Sequence, residues 1–274
     1  MNRLSLAAVV LSATLSFAQT SSPTTKVVIP PPTPEQQQII DKLNKETIST
    51  DQPALRYDIN PYNRDGSPNP NFGQVGLGFI ASHKSFLARR EKPIDLLFLG
   101  DSITAGWNVG GKNIWKERYA KHKSANFGIG GDRTQNVLWR IQEGELDGIK
   151  PKVVVLLIGT NNLGVPVENI AKGVKAVVDQ IHAKLPESKL LLLGIFPRSQ
   201  KAGDPARAKL QAVNSELAKL DDGKQTRYLE IWKQFLTDDG ELTKDIMPDA
   251  LHPAAKGYQI WADAMQPLLD EMMK

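Results

Sequence analysis

The sequence predicts an α/β fold, a parallel sheet with helices on both faces, and three features point to it. From residue 94 onward short apolar runs alternate with segments of helical period. The runs are continuously apolar, as in KVVVLLIG at 152–159, which suits strands covered on both faces. Strand, helix and strand in succession need a crossover, and a crossover makes the two strands parallel. With 274 residues, 41% of them hydrophobic, the chain can bury a sizeable core in one large domain.

Taken in chain order, residues 1–18 (MNRLSLAAVVLSATLSFA) place Arg3 before an apolar stretch that ends in Ser16-Phe17-Ala18. This is the pattern of a secretory signal peptide cleaved after Ala18, so a secreted or periplasmic protein is expected. Ser5, Ser12, Thr14 and Ser16 interrupt the stretch, and it is short for a membrane span, so no stable membrane insertion is expected after cleavage. Residues 19–34 are rich in Pro, Ser and Thr and read as a flexible linker. Thr33, Pro34 and Gln36 look like the capped start of a helix through PEQQQIIDKLNKE. That helix opens an N-terminal helical and loop extension, 35–93, with a loop-rich stretch at 51–79 and a second helix over Phe79–Arg90. The main domain, 94–274, has apolar runs at 94–100, 124–129, 152–159, 189–196 and 227–231. Helical segments fall near 113–122, 134–143, 166–185, 204–221 and 254–273.

Composition removes several functions. The absence of Cys excludes a disulfide framework, a thiol nucleophile and Cys-ligated metal sites. Only four His are present, at 83, 122, 182 and 252, which makes a His-rich metal centre a poor expectation. His83, His122 and His182 lie in helix-like segments and read as structural or exposed. The net charge of +4 comes without a long Lys/Arg run, so no nucleic-acid partner is expected.

In a parallel sheet the functional groups gather at the carboxyl ends of the strands. After the first run stands Gly100-Asp101-Ser102-Ile103-Thr104, where Ser102 suits a nucleophile but equally an ordinary helix cap. After the second comes Asn126-Phe127-Gly128-Ile129-Gly130-Gly131-Asp132, a glycine cluster that lets a backbone approach a ligand. It is not a dinucleotide loop, because the third glycine of that pattern would fall on Arg133. After the third comes Gly159-Thr160-Asn161-Asn162, where an amide can serve an oxyanion or simply make a turn. Ahead of the last helix stands Asp249-Ala250-Leu251-His252-Pro253, a spacing that lets a carboxylate orient an imidazole. Each signal is weak alone. Together they supply a nucleophile, a base, an orienting acid and oxyanion donors, the requirement for acyl transfer.

These blocks (GDSIT at 100–104, NFGIGGD at 126–132, GTNN at 159–162 and DALHP at 249–253) resemble the SGNH or GDSL family of esterases and lipases. The stretch 126–162 and GIFPR at 194–198 are similar to the branch containing the catalytic subunits of intracellular platelet-activating-factor acetylhydrolase. The resemblance covers about residues 94–273 and implies a three-layer α/β/α sandwich, flavodoxin-like, with a five-stranded parallel sheet. It also implies a carboxylic ester hydrolase in which Ser102 is the nucleophile, His252 the base and Asp249 its orienting acid. The backbone N–H groups of Ser102 and Gly131 and the side chain of Asn161 would form the oxyanion hole. Asp101 would support the turn, and neither cofactor nor metal is implied.

The branch implies a short acyl group, often acetyl. With an export signal, that favours a carbohydrate O-acetylesterase acting on an acetylated glycan. A short-chain carboxylesterase, a phospholipid or lysophospholipid acylhydrolase, and a catalytically silent glycan-binding module are the alternatives. Trp107, following the nucleophile turn, is a candidate for the rim of a sugar site, whereas Trp115 and Trp139 read as core. The loop 60–78, with Tyr62, Asn63, Arg64 and Asp65, either covers the crevice or wraps the surface.

Overall fold

A computed structural model of the chain describes residues 30–48, 61–62, 67–70, 72 and 76–274. The expected signal peptide, most of the linker and Asn63, Arg64 and Asp65 lie outside the described residues; Tyr62 pairs with Pro68 in an isolated bridge. Helix α1 (Pro34–Ile48) begins with the expected cap: Gln36 N–H donates to Thr33 Oγ1 at 3.2 Å, and Thr33 N–H donates to Gln36 Oε1 at 2.8 Å.

Five strands form one parallel sheet: β1 (Leu96–Gly100), β2 (Ser124–Gly128), β3 (Val153–Leu157), β4 (Lys189–Leu193) and β5 (Thr226–Leu229). Their order is β2-β1-β3-β4-β5. The chain steps outward from β1 to β2, returns past β1 to β3, then continues to the far edge. The crevice between β1 and β3 is therefore the topological switch point, where such sheets bind ligands.

Side-chain alternation along the strands builds two cores. Leu97, Leu99, Val154, Leu156, Leu190 and Leu192 face one side, under α5 (Thr134–Arg140), α6 (Val167–Lys184) and α7 (Pro205–Leu217). Leu96, Phe98, Val153, Val155, Leu191 and Leu193 face the other, against Trp107, Tyr119 and α8 (Ala255–Met272). Helix α2 (Leu77–Arg89) also joins the first side: Phe79 and His83 are buried, and the Phe86 ring stacks on Phe127 at 4.6 Å. The layers are those of an α/β/α sandwich.

Trp107 corrects an expectation. It is not at a rim; it is fully buried, with its ring 4.6 Å from Tyr258 and 4.8 Å from Trp261. The turn Gly106–Asn108 directs the indole inward, where an aromatic cluster with Phe98 and Tyr119 fills one face of the sheet. Trp115, which follows the short helix α4 (Lys112–Ile114), packs against the same core, and Trp139 lies against Phe79 and His83. Among the described residues no helix is long and apolar enough to cross a membrane.

Candidate active site

The register brings three strand ends level: Gly100 pairs with Gly128 on one side and Leu157 on the other. The segments leaving these three strands therefore meet along one edge. After β1, Asp101 caps α3 (Ser102–Ala105), its Oδ1 accepting the Ile103 N–H at 2.9 Å. Asp101 thus takes the capping role that the sequence alone allowed for Ser102, and leaves the Ser102 hydroxyl to face outward. The short helix lies close on β2 because residue 128 is glycine; a Cβ there would stand 2.2 Å from the Ala105 nitrogen. Asn126, which sequence reasoning left without a role, locks this contact. Its Nδ2 donates to Thr104 O and its Oδ1 accepts from Gly128 N–H, both at 2.9 Å.

Ser102 and His252, far apart in sequence, are joined by 2.8 Å between Ser102 Oγ and His252 Nε2. The other ring nitrogen, Nδ1, lies 2.6 Å from Asp249 Oδ2. Asp249 Oδ1 also accepts the backbone N–H groups of Leu251 and His252, at 3.1 and 2.7 Å. Burial works to raise the Asp249 pKa, but hydrogen bonds from the His252 ring and backbone outweigh it and hold the carboxyl below its ordinary range. An ionised Asp249 keeps the proton on Nδ1 and leaves Nε2 to accept from the serine hydroxyl. The Asp249 and His252 side chains are 56% and 43% exposed, so this part of the site is open to substrate and water.

The glycine turn after β2 lies beside the serine: a Cβ on Gly130 would stand 3.9 Å from Ser102 Cβ. Gly131 has φ of 77°, a left-handed conformation that glycine adopts without penalty. After β3, Asn161 Nδ2 donates to Asp132 O at 2.8 Å, which ties the third strand exit to the second. An amide nitrogen has two hydrogens, so one donor remains for another acceptor. The structure thus gathers Ser102, Asp249 and His252 in one relay, and sets Gly131 and Asn161 in the turns next to it. Among the described residues no cluster of three His, Asp or Glu side chains has the arrangement of a metal site.

Two buried arginines support this edge. Arg140 Nε donates to Asp132 Oδ2 at 3.0 Å, and its terminal nitrogens reach Glu145 and the carbonyls of Gly100 (3.3 Å) and Phe127 (3.2 Å). Glu145 continues to His83 Nδ1 at 3.2 Å. Burial alone would lower the Arg140 pKa, but Glu145 and Asp132 raise it. Arg207 instead donates to the carbonyls of Arg198 (3.1 Å), Ser199 (2.6 Å), Gln200 (2.8 Å) and Gly240, and Ser199 N–H in turn donates to Ala250 O at 2.9 Å. Asp101 is enclosed; burial raises its carboxyl to about 7, against the Ile103 N–H and Arg198 and with the help of Asp132. None of the Arg140 cluster was foreseen from sequence. The available signal was a charged residue inside the apolar run Val137-Leu138-Trp139-Arg140-Ile141.

A three-layer α/β/α sandwich with a Ser–His–Asp relay at its strand ends has the architecture and polar arrangement of a serine hydrolase. The chain belongs to the GDSL-like lipase/acylhydrolase family, whose model matches residues 98–260, and it is a carboxylic ester hydrolase. It is 35% identical over 215 residues to platelet-activating factor acetylhydrolase IB subunit alpha1 of Bos taurus, covering 77% of this chain and 90% of that one. To the alpha2 subunit of Mus musculus it is 37% identical over 198 residues, 72% and 84% of the two chains. Among solved structures, a GDSL-like lipase from Bacteroides thetaiotaomicron matches with a TM-score of 0.57 at 18% identity, over 70% of this chain and 98% of that one. Axe2, an acetylxylan esterase from Geobacillus stearothermophilus, matches with a TM-score of 0.52 at 18% identity, over 65% and 93%. Both structural likenesses bear on the fold.

Proposed function

We propose that the protein is an exported carbohydrate O-acetylesterase that works through an acyl-serine intermediate. The observation that carries the chemistry is the continuous relay from Asp249 through His252 to Ser102, at 2.6 and 2.8 Å. His252 Nε2 takes the Ser102 proton as Oγ attacks the ester carbonyl, forming a tetrahedral oxyanion. The backbone N–H groups of Ser102 and Gly131 and the second Asn161 amide hydrogen receive that oxyanion. Protonated His252 then gives its proton to the departing alcohol, leaving acyl-Ser102. Water, deprotonated by the same nitrogen, attacks the acyl-serine and releases the acid.

An acetyl group as the acyl half is supported by the names of the relatives, acetylhydrolase subunits at 35–37% identity. A sugar as the alcohol half is supported by the expected export signal and by the open site. The acetylhydrolase relatives favour a second reading, in which the alcohol is a phospholipid. The experiment is acetate release by the full chain from acetylated xylan, acetylated simple sugars and acetylated phospholipid, beside activated esters of rising acyl length. The expected result is acetate from the glycans, with rates falling steeply beyond short acyl chains and no turnover by Ser102→Ala. A Ser102→Ala protein at the wild-type rate would sink the relay. Acetate from the phospholipid alone would move the substrate to the second reading.

A further inference from the structure

Next to Asn161 lies a small cleft lined by Arg133, Gln135, Asn161, Asn162, Gly164 and Val165, with a volume of about 40 Å³. Gln135 is fully buried, yet its Nε2 has no hydrogen-bond partner. The orientation of that amide follows from its neighbours. The backbone N–H of Thr134 donates to Asn162 at 3.1 Å, so the receiving atom is Oδ1 and the other end of that amide is nitrogen. Asn162 Nδ2 then donates to Gln135 at 3.1 Å, so Gln135 must present its oxygen there. The Thr134 hydroxyl, 3.3 Å away, faces the same oxygen. What remains of Gln135 is an amide nitrogen with two hydrogens, enclosed and without an acceptor, a costly arrangement unless an oxygen is delivered to it.

We propose that this cleft is a subsite for a hydroxyl group carried by the leaving alcohol, read by Gln135. The polar side chains that line it are amides and a guanidinium, with no carboxylate among them, so the complementary group is an acceptor oxygen. A volume of about 40 Å³ is more than the ~10–15 Å³ that one water needs. It admits an oxygen and the carbon bearing it. Asn161 lines the cleft and is also the proposed oxyanion donor, so a hydroxyl held here belongs to the same molecule as the ester under attack. The inference rests on the carbohydrate reading, because a sugar acetate carries hydroxyls beside its ester and a simple alkyl acetate does not.

The test uses the full chain with ethyl acetate, glycerol monoacetate and acetylated xylo-oligosaccharide. Wild type is expected to favour glycerol monoacetate over ethyl acetate in kcat/KM. Gln135→Met keeps the side-chain length, removes the donor and lowers that ratio about tenfold, chiefly through KM. Gly164→Leu puts a larger side chain on a lining residue of the cleft and removes no Gln135 hydrogen bond; a Cβ at Gly164 would meet no atom within 4 Å. It lowers the same ratio. Equal kcat/KM for the two acetates in wild type, or a ratio that Gly164→Leu and Gln135→Met leave in place, overturns the subsite and makes the cleft a place for water. Failure to deacetylate the oligosaccharide while the glycerol ratio behaves as expected overturns the carbohydrate reading and leaves the subsite standing.

Discussion

The serine half of the site and the histidine half are held by opposite means. Behind Ser102 and the glycine turn, Arg140 binds two buried carboxylates and two strand-end carbonyls inside the core. Behind Asp249 and His252, Arg207 binds backbone carbonyls of the loop after β4, and that loop supports an exposed turn through Ser199 and Ala250. In the first half the charges that shape the site are also enclosed by the fold, so geometry and stability are coupled. In the second half the carboxylate of the relay stands in solvent, where an ion pair contributes little to stability. A side chain can therefore matter greatly to chemistry and little to folding on one side, and the reverse on the other.

The largest effect is expected on the exposed side. Asp249→Asn should lower kcat by ~10⁴-fold, because an amide at this position favours the wrong imidazole tautomer. Its melting temperature should stay close to wild type. Steady-state kinetics beside a thermal melt checks both, and a melt that collapses with the activity would erase the contrast between the halves.

The converse variant is Arg140→Met. It strands Asp132 and Glu145, both fully buried, without their cation. Breaking such a cluster by removing one partner should cost about 3–5 kcal/mol, read by denaturant unfolding. Adding Asp132→Asn and Glu145→Gln in the same chain should recover part of that loss, since the uncompensated charges are then gone. If Arg140→Met melts like wild type, the buried cluster is not coupling the site to the fold.

Asp101 sharpens the contrast through pH. Its folded-state pKa of about 7 lies above the ordinary 3.8, so the folded protein holds the proton more tightly than the unfolded chain. The stability this group contributes is full below pH about 4 and is lost as pH rises to about 7. Asp132 adds to the shift, Arg198 opposes it, and the Tyr258 phenol is itself pushed up by its own burial and by Asp101. Asp101→Asn keeps an oxygen for the Ile103 N–H and removes the titration. Its stability relative to wild type should rise between pH 4 and 7, by no more than a few kcal/mol, and then level off. A difference that stays flat over that range would mean that Asp101 titrates as an exposed carboxylate does.

Legibility in the sequence divides along the same line. Strands β1, β3 and β4 announce themselves because both faces are buried and, Lys189 at the start of β4 apart, the runs carry no polar side chain. Ser102, Asp249 and His252 were legible because they stand in short local blocks at element ends, where few residue types do the same work. Arg140, Glu145 and His83 were not, because their partnership depends on how α2 and α5 pack on the sheet, and one-dimensional spacing does not encode that contact. Trp107 was misplaced for the same reason. Its neighbours in sequence are exposed or half-buried, and it is enclosed by the packing of α8 together with Phe98 and Tyr119. Gln135 and Asn162 read as ordinary helix and turn residues until the Thr134 backbone fixes which way their amides face.

The smallest expected effect lies in the exposed turn itself. Ala250 has φ of 57°, and Ser199, whose N–H meets its carbonyl, has φ of 68°. A left-handed conformation costs a residue with a Cβ roughly 1–2 kcal/mol. Glycine removes that strain and gives back roughly 0.5–1 kcal/mol through the greater freedom of its unfolded chain. Ala250→Gly should therefore stabilise the protein by up to about 1 kcal/mol in a denaturant titration. The same freedom acts on the relay, since Ala250 lies between Asp249 and His252 and sets the spacing that lets Asp249 Oδ1 accept two consecutive N–H groups. The variant should gain stability and lose turnover, severalfold, with KM for a simple acetate little changed. A gain in both would show that the Ser199 contact and the Asp249 hydrogen bonds already fix the turn without help from the Ala250 side chain. A loss in both would show that the left-handed residue is held by its methyl packing against the neighbouring core rather than strained by it.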